Sequence, residues 1–136
     1  MTATDVVFGL VSAINAHDVQ MIAALITHDH RFLDSIGSVV VGQEKIREGW
    51  TTYLQMVPDY RIEVSETYHD GDVTVLLGSA RGTYTADGTL RPENAWETPA
   101  AWRAVVRAEK VAEWQVYADN EPMRRRIAAA NDEPTP

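Results

Sequence analysis

A chain of 136 residues with 45% apolar and 24% charged side chains has the size and composition of one globular domain able to bury a core. Its formal net charge of −8 argues against a polyanionic partner such as nucleic acid or an acidic membrane surface, since affinity for phosphates rests on lysine and arginine. The lack of cysteine excludes disulfides, thiolate zinc sites and cysteine nucleophiles, and no apolar run approaches the ~18 residues of a membrane-spanning helix. No charged-apolar-small leader opens the sequence, so a cytoplasmic protein is expected, although zero cysteine is also compatible with secretion.

From Thr4 to Asn15 the residues Val6, Val7, Leu10, Val11 and Ile14 recur at helical spacing, with Thr4 or Asp5 as the cap. Asp18 is suited to cap a second short helix burying Val19, Ile22, Ala23, Leu25 and Ile26, which makes a helical hairpin. A short strand around His30–Ser35, a turn at Ile36-Gly37-Ser38 and the apolar run Val39-Val40-Val41 come next. Gly42 introduces a third helix, Gln43 to about Met56, with Ile46, Trp50, Tyr53 and Val57 on one face, and Pro58 stops it.

Beyond that point the period becomes two. "YRIEVSETY" alternates Tyr60, Ile62 and Val64 against Arg61, Glu63 and Ser65, and Asp70-Gly71 marks a hairpin. "VTVLLGSARGTYT" is a glycine-interrupted strand suited to a bent or bulged sheet, and a loop from Asp87-Gly88 runs to about Asn94. Two final strands, roughly Trp96–Arg107 and Lys110–Asp119, are joined by a tight turn at Ala108-Glu109. The expected domain covers residues 1–122. Residues 123–136 are expected to form a short helix, with Arg124-Arg125-Arg126 on a solvated face, and a flexible tail. Helices first and strands after give an α+β fold: three N-terminal helices packed on a strongly curved mixed or antiparallel sheet, whose cone is the natural pocket.

The phrases "AINAHDVQMIAALITHDHRFLDSIGSVVVGQEKIREGW", "PDYRIEV" and "WRAVVRAEKVAEWQVYADNEP", in this order and spacing, resemble the NTF2-like superfamily in its SnoaL-like and ketosteroid-isomerase-like branch. The resemblance covers Val6 to about Pro122 and speaks for the fold, which carries isomerases, cyclases, dehydratases, epoxide hydrolases and pure binding proteins. It implies that Asp34, beside the first strand, is a general base moving a proton next to a carbonyl, an ionised carboxylate in an apolar setting supplied by Phe32, Trp50 and Trp114. The bland alternative is that Asp34 accepts backbone N–H bonds in the turn through Ser35 and Gly37. The isomerase's oxyanion donors fall near Leu10, which cannot donate, and Arg103, which can. The cyclase branch's acid lies near Val116, and the epoxide-hydrolase pair would lie at Arg81-Gly82-Thr83, where only the arginine survives.

Strand parity completes the expected site. A two-residue turn at Ala108-Glu109 pairs Arg107 with Lys110 and therefore Arg103 with Trp114, while a bulge in the Trp96–Arg107 strand would reverse this. On the unbulged register the pocket is walled by Phe32, Asp34, Trp50, Tyr53, Trp114, Val116, Arg103 and Asn120. Trp96, Trp102 and Tyr117 lie on the outer face, available for a homodimer. Asp119-Asn120 at the strand end would orient a ligand, or alternatively cap the C-terminal helix. His17, His28, His30 and His69 lack metal-ligand spacing, with His28-x-His30 fitting one strand face and His17 and His69 solvated in turns. No dinucleotide, P-loop or serine-elbow motif is present, so no cofactor is expected.

Three readings follow. The leading one is a cofactor-free enzyme performing isomerisation, cyclisation or dehydration on a hydrophobic small molecule, with Asp34 as base and Arg103, Tyr53 or Asn120 polarising an oxygen. The others are a non-catalytic ligand-binding or dimerisation module, and a protein-interaction adaptor of the transport-factor kind.

Overall fold

Thr2 caps the first helix, α1 (Ala3–Asn15), reciprocally: its hydroxyl accepts from the Asp5 N–H at 3.1 Å, and the Asp5 carboxylate accepts from the Thr2 N–H at 2.9 Å. The helix thus begins ahead of Thr4 and Asp5, which lie in its first turn. Asp18 caps α2 (Val19–Ala24) by accepting from the Met21 N–H, as its sequence context predicts. In this computed structural model, which describes residues 1–131, there follow β1 (Ile26–Leu33), β2 (Val39–Val41), α3 (Gln43–Met56), β3 (Arg61–Asp70) and β4 (Val73–Thr83). A short 3₁₀ turn, Pro92–Asn94, leads into β5 (Ala95–Arg107), β6 (Lys110–Ala118) and α4 (Glu121–Asn131). The expected flexible tail beyond Asn131 lies outside the described residues.

The six strands form one sheet in the order β2-β1-β6-β5-β4-β3. Only the β1–β6 pair is parallel, so the sheet is mixed. The α1 face formed by Val6, Val7, Leu10 and Ile14 joins Leu76, Trp102, Ala104 and Val111 of the sheet in one core. No helix among the described residues is long and apolar enough to cross a membrane.

Three irregularities bend the sheet and decide where side chains point. In β1, Ile26 pairs with Val111 and Arg31 with Glu113, so six residues of one strand span what three cover on the other. His28 and Asp29 are pushed outward, whereas His30 is turned inward, 1% exposed, with Nδ1 donating to the Val111 carbonyl at 2.7 Å. The two histidines therefore do not share the strand face expected of them. In β3, Ser65 is the extra residue, beside the Val64–Gly78 pair. A Cβ at Gly78 would sit 1.8 Å from the Glu63 carbonyl oxygen, so the glycine is what lets β3 and β4 approach.

The third irregularity overturns the expected β5–β6 register. The turn at Ala108-Glu109 has two residues, with φ of 51° and 61°, and pairs Arg107 with Lys110. Val106 then pairs with Val111 but Val105 with Glu113, leaving Ala112 as an extra residue in β6. Arg103 consequently pairs with Gln115 and Ala104 with Trp114. A one-residue slip exchanges the two faces of a strand. Arg103 therefore lies on the outer face, where Nη1 stands 3.8 Å from Glu113 Oε2, and cannot wall the pocket. Trp96 and Trp102 turn inward, 8% and 0% exposed, so the expectation that they form an outer aromatic face is also corrected; Tyr117, 53% exposed, remains there.

Two outcomes follow. Gly78→Ala forces backbone apart and is expected to lower unfolding stability by about 3 kcal/mol, read from the urea midpoint. Arg103→Ala removes a half-exposed ion pair and is expected to change stability by less than about 1 kcal/mol, with no effect on ligand binding by calorimetry.

Candidate functional site

The concave side of the sheet, closed by α3 and by Met123 of α4, encloses a cavity of about 380 Å³. It brings together Phe32, Asp34, Trp50, Tyr53, Trp114, Val116 and Asn120, seven of the residues expected there from sequence. Arg103 and Asp119 do not line it. Asp119 instead accepts from the Glu121 N–H at 2.9 Å and so opens α4, the helix-capping alternative considered for it. Tyr60, Trp96, Thr98, Lys45 and Met123 line the cavity as well, and sequence reasoning did not place them there. Tyr60 carried a usable signal, since it shares strand parity with buried Ile62. For Trp96 the sequence offers only the adjacent apolar pair Val111-Ala112, and Val116-Tyr117-Ala118 breaks the alternation of the same strand, so the pattern does not fix the bulge.

The wall is a relay of aromatic rings. Phe32 meets Trp50 at 6.2 Å and 88°, Trp50 meets Tyr53 at 6.1 Å and 86°, and Tyr53 meets Tyr60 at 5.1 Å and 86°. Tyr60 then meets Trp96 at 6.2 Å with the rings tilted by 40°. Edge-to-face contacts of this kind are worth about 0.5–1.5 kcal/mol each beyond burial, so the wall is rigid before any ligand arrives. Behind it Trp102 stacks on Trp114, with centroids 6.4 Å apart.

Asp34 sits where β1 ends. Its Oδ1 accepts from the Ile36 N–H at 3.0 Å and the Ser38 N–H at 2.9 Å, and its own N–H donates to the Ser38 carbonyl. The two sequence readings of Asp34 are thus compatible: it caps the turn through one oxygen and lines the cavity as well. Oδ2 has no hydrogen-bond partner among the described residues. Asn120 donates from Nδ2 to the Ser35 hydroxyl, which ties the end of β6 to the same turn. Tyr53 donates to Met123 Sδ at 3.6 Å. Burial pushes the phenols of Tyr53 and Tyr60 well above the usual tyrosine range, so both remain O–H groups at neutral pH.

Two of the four histidines are structural, whereas His28 and His69 are exposed, His69 in β3 rather than in the turn expected for it. His17, expected in solvent, is half-buried and donates from Nε2 to the Tyr60 carbonyl at 2.7 Å. Burial lowers the His30 imidazole below its ordinary range, which keeps it neutral. Among the described residues no three His, Cys, Asp or Glu side chains converge as a metal set.

No curated protein matches the chain in sequence. Among solved structures, IdmH of Streptomyces antibioticus, proposed to be a polyketide cyclase, is 22% identical with a TM-score of 0.77, covering 94% of this chain and 99% of that one. A SnoaL-like protein of Shewanella denitrificans, likewise proposed to be a polyketide cyclase, is 14% identical with a TM-score of 0.78 over 93% and 97% of the two chains. A hypothetical protein of Catenulispora acidiphila with a ketosteroid isomerase-like fold, solved with trimethylamine, is 18% identical with a TM-score of 0.77 over 93% of each. These likenesses establish the NTF2-like, ketosteroid isomerase-like fold. The profile of the SnoaL-like domain matches residues 7–114, most of the chain, and the protein belongs to the SnoaL-like domain family.

Proposed function

We propose that this protein is a cofactor-free enzyme that moves a proton on a hydrophobic small molecule, as an isomerase, cyclase or dehydratase does, with Asp34 as the base. The observation that carries this reading is a carboxylate on the wall of a cavity built chiefly from aromatic and aliphatic side chains. Asp34 Oδ1 is anchored by two backbone N–H groups, while Oδ2 remains to take a proton from carbon. In an isomerisation the proton passes from a carbon beside a carbonyl to Oδ2 and returns to another carbon of the same conjugated system. The polyketide-cyclase proposals made for the similar structures support a polyketide- or steroid-like substrate here.

Asp34→Asn separates chemistry from structure. The amide oxygen can still accept from Ile36 and Ser38, so the turn stands while the charge is gone. Hydrogen–deuterium exchange of an enolisable ketone such as 2-tetralone, followed by NMR, is expected to slow at least ~10²-fold in the variant. An unchanged exchange rate sinks the assignment of Asp34.

A second reading, a binding or dimerisation module without catalysis, is favoured by the capping bonds of Asp34, which account for the residue without any reaction. Co-purified compound retained without turnover supports it. Homodimerisation through the outer sheet face belongs to either reading. Tyr68 and Tyr117, 58% and 53% exposed, stand there: Tyr68 on the ladder through Val75 to Arg103, and Tyr117 two residues along β6 from Gln115, the partner of Arg103. Tyr117→Arg is expected to shift a dimer to monomer in sedimentation equilibrium, and an unaltered mass rules Tyr117 out of the interface.

A further inference from the structure

We propose that the phenol of Tyr60 is the hydrogen-bond donor for the oxygen of the bound molecule, which makes that molecule a flat, unsaturated carbonyl compound lying along the aromatic wall. This rests on the cavity being a small-molecule site and is independent of whether Asp34 acts as a base.

Lys45 also lines the cavity, but it is an exposed residue whose ammonium has water as its partner, and most of the other donors there are already engaged among the described residues. The Tyr53 hydroxyl is committed to Met123 Sδ, the Asn120 amide to Ser35 and the Thr98 hydroxyl to the Pro99 carbonyl. Trp96 lines the cavity, but its Nε1 is sealed from solvent and so beyond a ligand's reach. Tyr60 differs. Its residue is only 7% exposed, it lines the cavity, and its hydroxyl has no partner among the described residues. Nor is that hydroxyl among the buried polar atoms sealed without a partner, unlike Trp96 Nε1 and Trp102 Nε1. A tyrosine so enclosed reaches open space through the cavity that it lines. An O–H that opens onto an apolar cavity has no fixed acceptor in the protein, and an acceptor oxygen on a ligand that displaces water from the cavity supplies one.

The donor is also held in place. The Tyr60 N–H donates to the Val57 carbonyl, and His17 Nε2 donates to the Tyr60 carbonyl. Two residues on, Asn15 clamps Ile62, donating to its carbonyl at 2.9 Å and accepting from its N–H at 2.8 Å. The ring itself is confined by Trp50, Tyr53 and Trp96. A fixed donor fits an acceptor that is fixed too, and walls of rings favour a planar π-system over a branched aliphatic one. A conjugated ketone satisfies both demands, its oxygen on Tyr60 and its face on the rings.

The test uses the full chain with two probes of one shape, 2-acetylnaphthalene and 2-isopropenylnaphthalene, the second lacking the oxygen. Equilibrium dialysis is expected to show ketone affinity about tenfold weaker in Tyr60→Phe, with hydrocarbon affinity unchanged. The infrared carbonyl stretch of the bound ketone is expected at lower frequency with the wild-type chain than with the variant. Unchanged ketone affinity, an equal loss for both probes, or an unshifted carbonyl stretch overturns the role of Tyr60 and leaves the Asp34 proposal standing. Failure of the wild-type chain to bind either probe overturns the reading of the cavity, and the Tyr60 proposal with it.

Discussion

The extra residue at Ala112 sets the chemistry of the whole concave face. Without it, hairpin pairing from Arg107–Lys110 would carry Arg103 inward beside Trp114 and send Trp96 and Trp102 to the outside. With it, a guanidinium goes to the outer face and two indoles go to the inner one. The cost of burying a charge explains why this arrangement wins. Arg103 inside would need a desolvated partner, whereas outside it lies near Glu113, which also bonds Arg31 at 3.1 Å. Trp102, fully buried against Trp114, contributes apolar area that an arginine could not. The cavity is therefore aromatic, and among the described residues that line it Asp34 and Lys45 are the acidic and the basic one.

The same wall depends on contacts made at a distance from it. The chain leaves α1 through His17, whose φ of 56° turns it toward α2 and brings the imidazole to the Tyr60 carbonyl. Asn15 clamps Ile62 beside it, and Asp59 accepts from both the backbone N–H and the hydroxyl of Thr83, each at 2.7 Å. These polar ties join the helical hairpin to the start of β3 and the end of β4, where Tyr60 enters the cavity. The ring contacts confine the side chains, and several hydrogen bonds hold the backbone from which they project. The rigid placement of the tyrosines is thus a property of the frame, and it is the frame that a ligand meets.

Asp34 illustrates how one residue can hold a turn and still line a cavity with its carboxylate. A carboxylate has two oxygens and several lone pairs, so capping a turn through Oδ1 leaves Oδ2 available. The cap in fact aids the proposed reaction, because an anchored base loses little freedom when the substrate arrives. A family in which the fold is shared and the chemistry varies places this weight on individual side chains. Here Leu10 cannot donate, Arg103 lies on the outer face, and Tyr53 and Tyr60 line the cavity.

Periodicity, caps and turn residues, all local properties, were enough to place the helices and most strands of the described residues to within a few positions, together with the α+β class and the helix hairpin at Asp18. The exception is β1, since it begins at Ile26, a residue the helical pattern assigned to α2, rather than near His30. The resemblance carried by the order of these elements set Asp34, Phe32, Trp50 and Tyr53 on a common cavity, since each lies on an element whose inward face its own apolar neighbours define. Local pattern could not decide the faces of β5, because parity along a strand is absolute and one inserted residue inverts it. Whether Ala112 bulges depends on the relative cost of burying Arg103 or Trp102, a comparison that exists only once the sheet and α1 are packed together. The same holds for His17 and Tyr60, 43 residues apart in sequence and joined by one hydrogen bond that tertiary packing alone creates.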